Sequence, residues 1–529
     1  MHTNTVLSWI AGGKPDHPMA DPKQARALLA EIPAKDSFKG LAEITDWLES
    51  LNGTEGFKLD RRWNLLDQLD QAAKPHERKL TQEYMAPGVQ KIRQGRIWAT
   101  VFEFWRNLGA GYVKCVEAYQ AGAAGSFAMR GNLPVLIARA LRTSAQQLKW
   151  LLLGYGTIDA RLWDEFGRLY LLAESKGLAD KSVQLLPGNQ APTSVRQEFL
   201  KAMMLSISSP SGLQPLQIEI AERVVAHFAD LFVMDASPLE TGSSCFDLSM
   251  RKAPAHMRQN EPASSTLRYF TPGQAREGLA RLIEYVTAQG VSPAEVNLGA
   301  TYDPALLIGV LKHLALYWAP TPPARSSERK PAAEKLAVIH GFAEVLRNFD
   351  RVDGNSLDFS NDEPESWIVE NVSEGGYGAI VPSAKGEWVK VGSLVALEPE
   401  TSTHWKTGVV RRIARDGTQS WRVGIEVLAK QSIPVRLAPA GQASTYNTTR
   451  EGEGAVLLSM RPDHRGEIGL LLRVASFTPG QPLEMQVRGK SYLLNPARLV
   501  EGGEEYDLAR FKVSARSSAS STSSRTQPR

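Results

Sequence analysis

The sequence predicts a multidomain α+β protein: a large, mainly helical N-terminal region, then an antiparallel β-barrel, then a small β-rich C-terminal extension. Three observations predict this. The chain has 529 residues, more than one hydrophobic core normally serves, because single cores stop growing at roughly 250–300 residues. From about residue 20 to 320, apolar residues recur at three- and four-residue steps, the period of a helix with one buried face. Beyond residue 335 the recurrence shortens to every second residue, the period of a half-buried strand.

Each element follows from its own pattern. Leu41, Ile44, Trp47 and Leu48 share one helical face, and Asp36-Ser37 just before them is an N-cap signal. Further amphipathic segments run through 57–75, 88–121, 130–155, 158–176, 192–207, 212–230, 273–289 and 303–318. Ala73-Lys-Pro-His76 and Leu186-Pro-Gly-Asn189 read as connections, because proline and glycine interrupt helices. Residues 235–270 break the helical pattern, with Ser243–Ser249 as a short strand. Trp98, Phe102, Trp105 and Tyr112 fall at helical spacing and read as core. Gly109-Ala-Gly111 has neither a preceding strand nor a third glycine, and reads as helix packing, not a dinucleotide fingerprint. The whole stretch 1–318 is assigned to the helical region, and the Pro- and Arg-rich residues 319–334 to a linker. Strand patterns place a barrel at 335–438, interrupted by a short helix near Gly341–Phe349, and a β-rich module at 450–508. The Ser/Arg-rich residues 509–529 read as a disordered tail.

Composition narrows the function class. Hydrophobic residues make up 43 %, charged residues 22 %, and the net charge is +4. That balance gives no general pull on nucleic acid, so any anion site must be local. Cys115 and Cys245 are far apart and outside any CxxC pair, which excludes a disulfide scaffold and fits a reducing cytoplasm. The N-terminus has no basic stretch before its short apolar run, and no window holds the ~18 apolar residues that span a bilayer. The densest run, Leu148–Tyr155, reads as a buried helix. The nine histidines show no metal-ligand spacing, and no P-loop or nucleophile elbow is present. The expectation is a cytoplasmic, non-enzymatic protein with no metal, no cofactor and no membrane span.

One constellation points to a ligand. Asn371-Val-Ser-Glu-Gly-Gly376 places short polar side chains and glycines at a turn between two strand patterns, Trp367–Val372 and Tyr377–Val381. Two readings stand on the residues alone: the polar groups cap a tight turn, or they and the exposed backbone meet a ligand that glycine lets approach.

Asn371, Ser373 and Gly376 match the [D/N]-x-S-x-x-G pattern of PilZ domains, and the order of strands from about 325 to 435 resembles a PilZ barrel. The resemblance implies a receptor for cyclic di-GMP, with Asn371, Ser373 and Gly376 contacting the nucleotide. Family members that bind it also carry an R-x-x-x-R motif before the first barrel strand. Arginine suits that task, because its planar fork bonds guanine O6/N7, stacks on the base and pairs with phosphate. Two pairs qualify: Arg325 with Arg329 in the linker, which fits the family topology better, and Arg347 with Arg351, which fits the usual separation from the Asn371 turn better. Arg411 and Arg412, adjacent in a strand, are expected by alternation to point to opposite faces, where one could add charge to the ligand site, although the reading favoured for both is the barrel surface. Gly502-Gly-Glu-Glu-Tyr506 resembles the signature of diguanylate cyclases, but the surrounding strands do not make the α/β domain that such enzymes need, so it reads as a turn. The implied role is signalling through the helical region to a protein partner, for instance in motility, pilus or envelope machinery. The alternative is a scaffold or adaptor whose PilZ-like barrel binds no nucleotide.

Overall fold

The computed structural model describes residues 15–188, 191–239, 243–257, 264–323, 328–352, 364–381, 388–402, 404–415, 420–440, 452–487 and 490–515. The chain divides into two compact units, Met1–Ala324 and Arg325–Arg529.

The first unit opens with helices α1 (Pro22–Glu31), α2 (Ser37–Gly53), α3 (Leu59–Met85), α4 (Lys91–Gln120), α5 (Ser126–Met129), α6 (Leu133–Leu153), α7 (Ala160–Ser175), α8 (Val195–Ile207) and α9 (Pro215–His227). Strands β1 (Val233–Asp235), β2 (Ser244–Asp247), β3 (Ala255–His256) and β4 (Leu267–Thr271) follow, then α10 (Ala275–Gln289) and α11 (Pro304–Tyr317). Asp36 caps α2 by accepting from the Lys39 amide at 3.1 Å, and Leu41, Ile44 and Leu48 are fully buried on its inner face. The interrupted region is a complete antiparallel sheet in the order β1-β4-β2-β3, and the single strand expected there is its β2.

Proline 75 does not end a helix, contrary to the expected connection at 73–76. α3 continues through it to Met85. An internal proline removes one backbone hydrogen bond and costs about 3 kcal/mol. Leu66, Leu69, Ala73 and Leu80, all buried on the same helix, offset that cost from both sides of the break. The glycines of α4 act as packing points. A Cβ at Gly109 would stand 2.6 Å from Gln147 Nε2 on α6, and one at Gly111 would stand 2.6 Å from Leu66 Cδ2 on α3.

The core of this unit holds several paired charges. Asp70 accepts from the Tyr112 hydroxyl at 2.9 Å and from Arg142 Nη1 at 3.1 Å. Arg139 donates to Asp67 Oδ1 at 2.6 Å and lies 4.7 Å over the Trp63 ring. Lys149 bonds Glu219 at 2.6 Å. Burial opposes the charge on Arg139, Arg142 and Lys149, but the acidic groups beside them hold it, so each pKa lies above its ordinary value. Cys115 and Cys245 are both free and buried, and burial pushes the Cys115 thiol up to about 12, which keeps it protonated and inert. No helix among the described residues is long and apolar enough to cross a membrane.

The second unit is two closed six-stranded barrels. Its elements are β5 (Lys330–His340), α12 (Phe342–Val352), β6 (Glu365–Ser373), β7 (Gly376–Val381), β8 (Leu394–Pro399), β9 (Lys406–Arg415), β10 (Trp421–Ala429), β11 (Ile433–Pro439), β12 (Glu453–Leu457), β13 (Glu467–Arg473), β14 (Leu483–Val487), β15 (Lys490–Gly502) and β16 (Tyr506–Ala515). The first barrel closes in the order β10-β7-β6-β5-β8-β9, and the second as β11-β12-β13-β16-β15-β14. Three edges differ from the sequence pattern. β5 begins at Lys330, inside the stretch assigned to the linker. β11 pairs with β12 and β14 and so belongs to the second barrel. β16 runs on to Ala515, into the stretch assigned to the tail, because it pairs along β13 and β15.

A shared apolar cluster joins the barrels: Val345 and Phe349 of α12, Leu394, Ala396 and Val409 of the first barrel, and Val456, Leu471, Tyr506 and Leu508 of the second. The Gly-Gly-Glu-Glu-Tyr segment forms the β15–β16 turn at this joint, where the Gly503 amide donates to the Tyr506 carbonyl at 2.8 Å. Its side chains reach the first barrel. Glu504 pairs with Lys390, Glu505 accepts from the Leu394 amide at 3.1 Å, and the buried Tyr506 donates to Glu501 at 2.9 Å. Arg411 completes the joint with a bidentate pair to Glu501, both bonds 2.7 Å, and a third bond to Glu426 at 2.7 Å.

Burial raises the pKa of Glu501, but the bonds from Arg411 and Tyr506 outweigh it and hold the carboxyl below the usual range. A depressed carboxylate contributes stability that is fully present above its unfolded pKa, about 4.3, and is lost as pH falls through the folded value. We therefore expect Glu501→Gln to lower the stability of the two-barrel unit by about 1–2 kcal/mol at pH 7. In thermal melts of mutant and wild type, that gap should shrink as the pH is taken below 4. A gap that stays constant across this range contradicts the assignment.

Candidate ligand-binding site

Cross-strand register places the candidate residues. Val369, Ala379, Val423 and Ile413 oppose one another on β6, β7, β10 and β9, and all four are buried inside the first barrel. The next row therefore faces outward, and it is Asn371, Gly378, Gly424 and Arg412. Two glycines form the floor of this row, with a polar side chain at each end.

Bulges aim both ends. In β6 the register shifts between Val369 and Asn371, leaving Glu370 as the extra residue. In β9 it shifts so that Gly424 opposes Arg412 while Ile425 opposes Val410, leaving Arg411 as the extra residue. Val410 and Ile413 are both buried although three residues apart, so Arg411 and Arg412 both lie outside the barrel. This corrects the expectation of opposite faces: strict alternation fails where a bulge inserts a residue.

Asn371 lies against the row. Its Oδ1 is buried without a hydrogen-bond partner among the described residues and stands 2.6 Å from where a Gly378 Cβ would be. An orphaned buried acceptor costs about 1–3 kcal/mol, a cost that a donor arriving from outside would relieve. Ser373 opposes Gly376 at the end of the β6–β7 hairpin, and its hydroxyl donates to the Gly376 carbonyl at 3.4 Å. Gly376 is needed for close approach: a Cβ there would stand 1.9 Å from the Ile425 carbonyl oxygen, whereas one at Gly375 would meet nothing within 4 Å. Neither glycine has a positive φ.

The two arginine pairs fall in different places. Lys330 opposes Val372 and Pro331 opposes Asn371, so Arg329, exposed and one residue earlier, enters β5 level with the Ser373 turn. Arg325 lies outside the described residues. Arg347 lies on α12, the helix of the joint, and pairs with Glu344 at 2.7 Å. The side chain of Arg351 lies outside the described residues. Among the described residues no group of three His, Cys, Asp or Glu side chains is placed to hold a metal.

Sequence reasoning missed Gly378 and Gly424 as parts of this surface. The signal was present: glycine inside a strand pattern marks close approach of a backbone or ligand. Their alignment is a matter of register, which the sequence does not show.

The contrast between the two hairpin glycines is testable. Gly376→Ala should destabilise the barrel by about 1–3 kcal/mol, because strand backbone must move to relieve the clash. Gly375→Ala should stay within about 0.5 kcal/mol of wild type. Chemical denaturation of the two variants checks this, and equal effects would contradict the close approach at Ile425.

Residues 23–238 match the family model described as cyclic-di-GMP receptor FimW, N-terminal domain. Residues 358–434 match the one described as cyclic-di-GMP receptor FimW, middle PilZ domain. Asn371, Ser373, Gly376 and the whole Asn371–Arg412 row fall within the second match, whereas all four candidate arginines precede it. No curated protein matches the chain significantly. The two matches together span more than half of the sequence, and the chain belongs to the FimW family of cyclic-di-GMP receptors, with that family's PilZ domain in its first barrel.

Proposed function

We propose that this chain binds cyclic di-GMP on the outer face of the first barrel and relays binding through its helical unit to a protein partner. The observation that carries the reading is the outward row with the orphaned Asn371 acceptor at one end and two glycines beside it. Cyclic di-GMP presents flat guanines rimmed with N–H donors and two phosphates. Gly424, partly exposed and without a side chain, admits a flat base to the backbone, and the Asn371 carboxamide oxygen beside it accepts from N–H groups. Ile368, about half exposed, stands in the adjacent outward row opposite Ile380, and supplies apolar ground for a base face.

The register favours Arg325 and Arg329 as the phosphate- and guanine-binding pair, because Arg329 enters the barrel beside the Asn371 and Ser373 strand end. Arg347 is engaged with Glu344 on the helix that packs the joint. The residues carrying Arg325 and Arg329 also connect the helical unit to the barrel in sequence. A ligand that engages them couples that connection to the barrel, a recognised mode of switching. The role is that of a receptor and not of a catalyst. Motility, pilus or envelope machinery is the partner class we place at its output.

Calorimetry on the full chain tests the reading. Wild type should bind cyclic di-GMP at tens of micromolar protein. Arg325→Ala with Arg329→Ala should weaken binding by roughly 10–100-fold, the loss of one or two charge-assisted hydrogen bonds. Arg347→Ala with Arg351→Ala should stay within about twofold. Absence of binding by folded wild type overturns the proposal and leaves the scaffold reading. Loss confined to the second double variant reverses the choice of arginines.

A further inference from the structure

We infer that Arg412 is a third ligand-binding cation, closing the far end of the glycine row and contacting a phosphate or guanine edge of the nucleotide. The inference rests on the reading that this face takes cyclic di-GMP.

Three observations carry it. Arg412 opposes Gly424 in register and turns outward through the β9 bulge. A Cβ built at Gly424 would lie 3.4 Å from the Arg412 Cβ and 4.0 Å from its Cγ, so the arginine stem runs beside the empty place above Gly424. Among the described residues Arg412 is exposed and makes no hydrogen bond or ion pair, whereas the neighbouring cations are engaged. Arg411 holds Glu426 and Glu501, Arg422 holds Glu370 at 3.3 Å, and Arg415 lies 4.8 Å over the Trp421 ring. Of these four arginines, the one without a partner borders the two glycines.

The geometry suits a cyclic dinucleotide. Asn371 and Arg412 stand three strand spacings apart, about 14 Å along the sheet, and the glycine floor lies between them. Asn371 brings an acceptor to one end, and Arg412 brings a forked donor to the other, where it meets phosphate oxygens or guanine O6/N7 bidentately. Arg329, just before β5, approaches from the β6 side of the row. Arg412 approaches from the β9 side, so the two sources of positive charge flank the ligand. Nothing in the R-x-x-x-R or Asn-x-Ser pattern requires a residue at this place. It arises from the bulge.

The test uses the full chain and four variants: Arg412→Ala, Arg412→Lys, Gly424→Val and Arg415→Ala. Calorimetry with cyclic di-GMP gives affinities, and thermal melts confirm that each variant is folded. Arg412→Ala should weaken binding by roughly 10–100-fold. Arg412→Lys should recover part of that loss, since it keeps the charge and loses the fork. Gly424→Val, which fills the floor, should weaken binding at least as much while the melt stays close to wild type. Arg415→Ala should stay within about twofold. If wild type binds and Arg412→Ala or Gly424→Val binds equally well, the inference falls and the receptor reading stands. If Arg415→Ala loses as much as Arg412→Ala, the effect is diffuse charge and the inference falls. If wild type does not bind, both readings fall together.

Discussion

One inserted residue in β9 governs much of the second unit. Without the bulge at Arg411, alternation would turn either Arg411 or Arg412 into a barrel interior lined by Val410, Ile413, Val423 and Ile425. An unpaired guanidinium there would cost several kcal/mol. With the bulge, both side chains leave the barrel and take different directions. Arg411 reaches Glu501 of β15 and ties the barrels together. Arg412 lies beside Gly424 on the outward row. Joint and candidate site thus share a single backbone irregularity, as is common where bulges re-aim side chains beside functional surfaces.

The rest of the row depends on glycine for a reason other than turn geometry. At Gly376 the Ile425 carbonyl leaves no room for a Cβ, and at Gly378 the Asn371 carboxamide takes that room. The same absence of side chains that lets β6, β7 and β10 approach leaves Gly378 buried under the Asn371 carboxamide and Gly424 partly exposed beside it. One set of residues both packs the strands closely and lines the row that runs from Asn371 to Arg412. The match to a PilZ domain over residues 358–434 contains this row. The second barrel extends beyond that match from β12 onward, and its turn at Gly502–Tyr506 holds the first barrel through Glu504, Glu505 and Tyr506.

The helical unit is built on other terms. Its inner faces are apolar, but Asp70, Arg139, Lys149 and Glu219 are also buried, each in pairs. Such pairs contribute little net stability, because desolvation offsets the attraction. They do penalise any packing in which one partner is lost, which favours a single arrangement of α3, α4, α6 and α9. That is a fitting property for a region matched as a receptor's N-terminal domain.

Much of this was legible in the sequence. Helical period marked the buried faces of α2, α4 and α6, period two marked the barrel strands, and Asn371, Ser373 and Gly376 identified the hairpin that lies in the PilZ match. Local signals suffice for these because side-chain alternation and turn chemistry are set by neighbours along the chain. Four things needed the tertiary structure. Pro75 continues a helix because packing on both sides outweighs one lost hydrogen bond. Gly-Gly-Glu-Glu-Tyr, which resembles a catalytic signature, is a clamp because of what its side chains meet across the joint. Arg411 and Arg412 share the outside of the barrel because of a bulge. Gly378 and Gly424 form one floor because β7 pairs with β10 in a particular register. Sequence determined which residues could form strands, turns and helices. Only the fold decided which of them stand side by side, because register and long-range packing are properties of pairs of segments and not of any one segment.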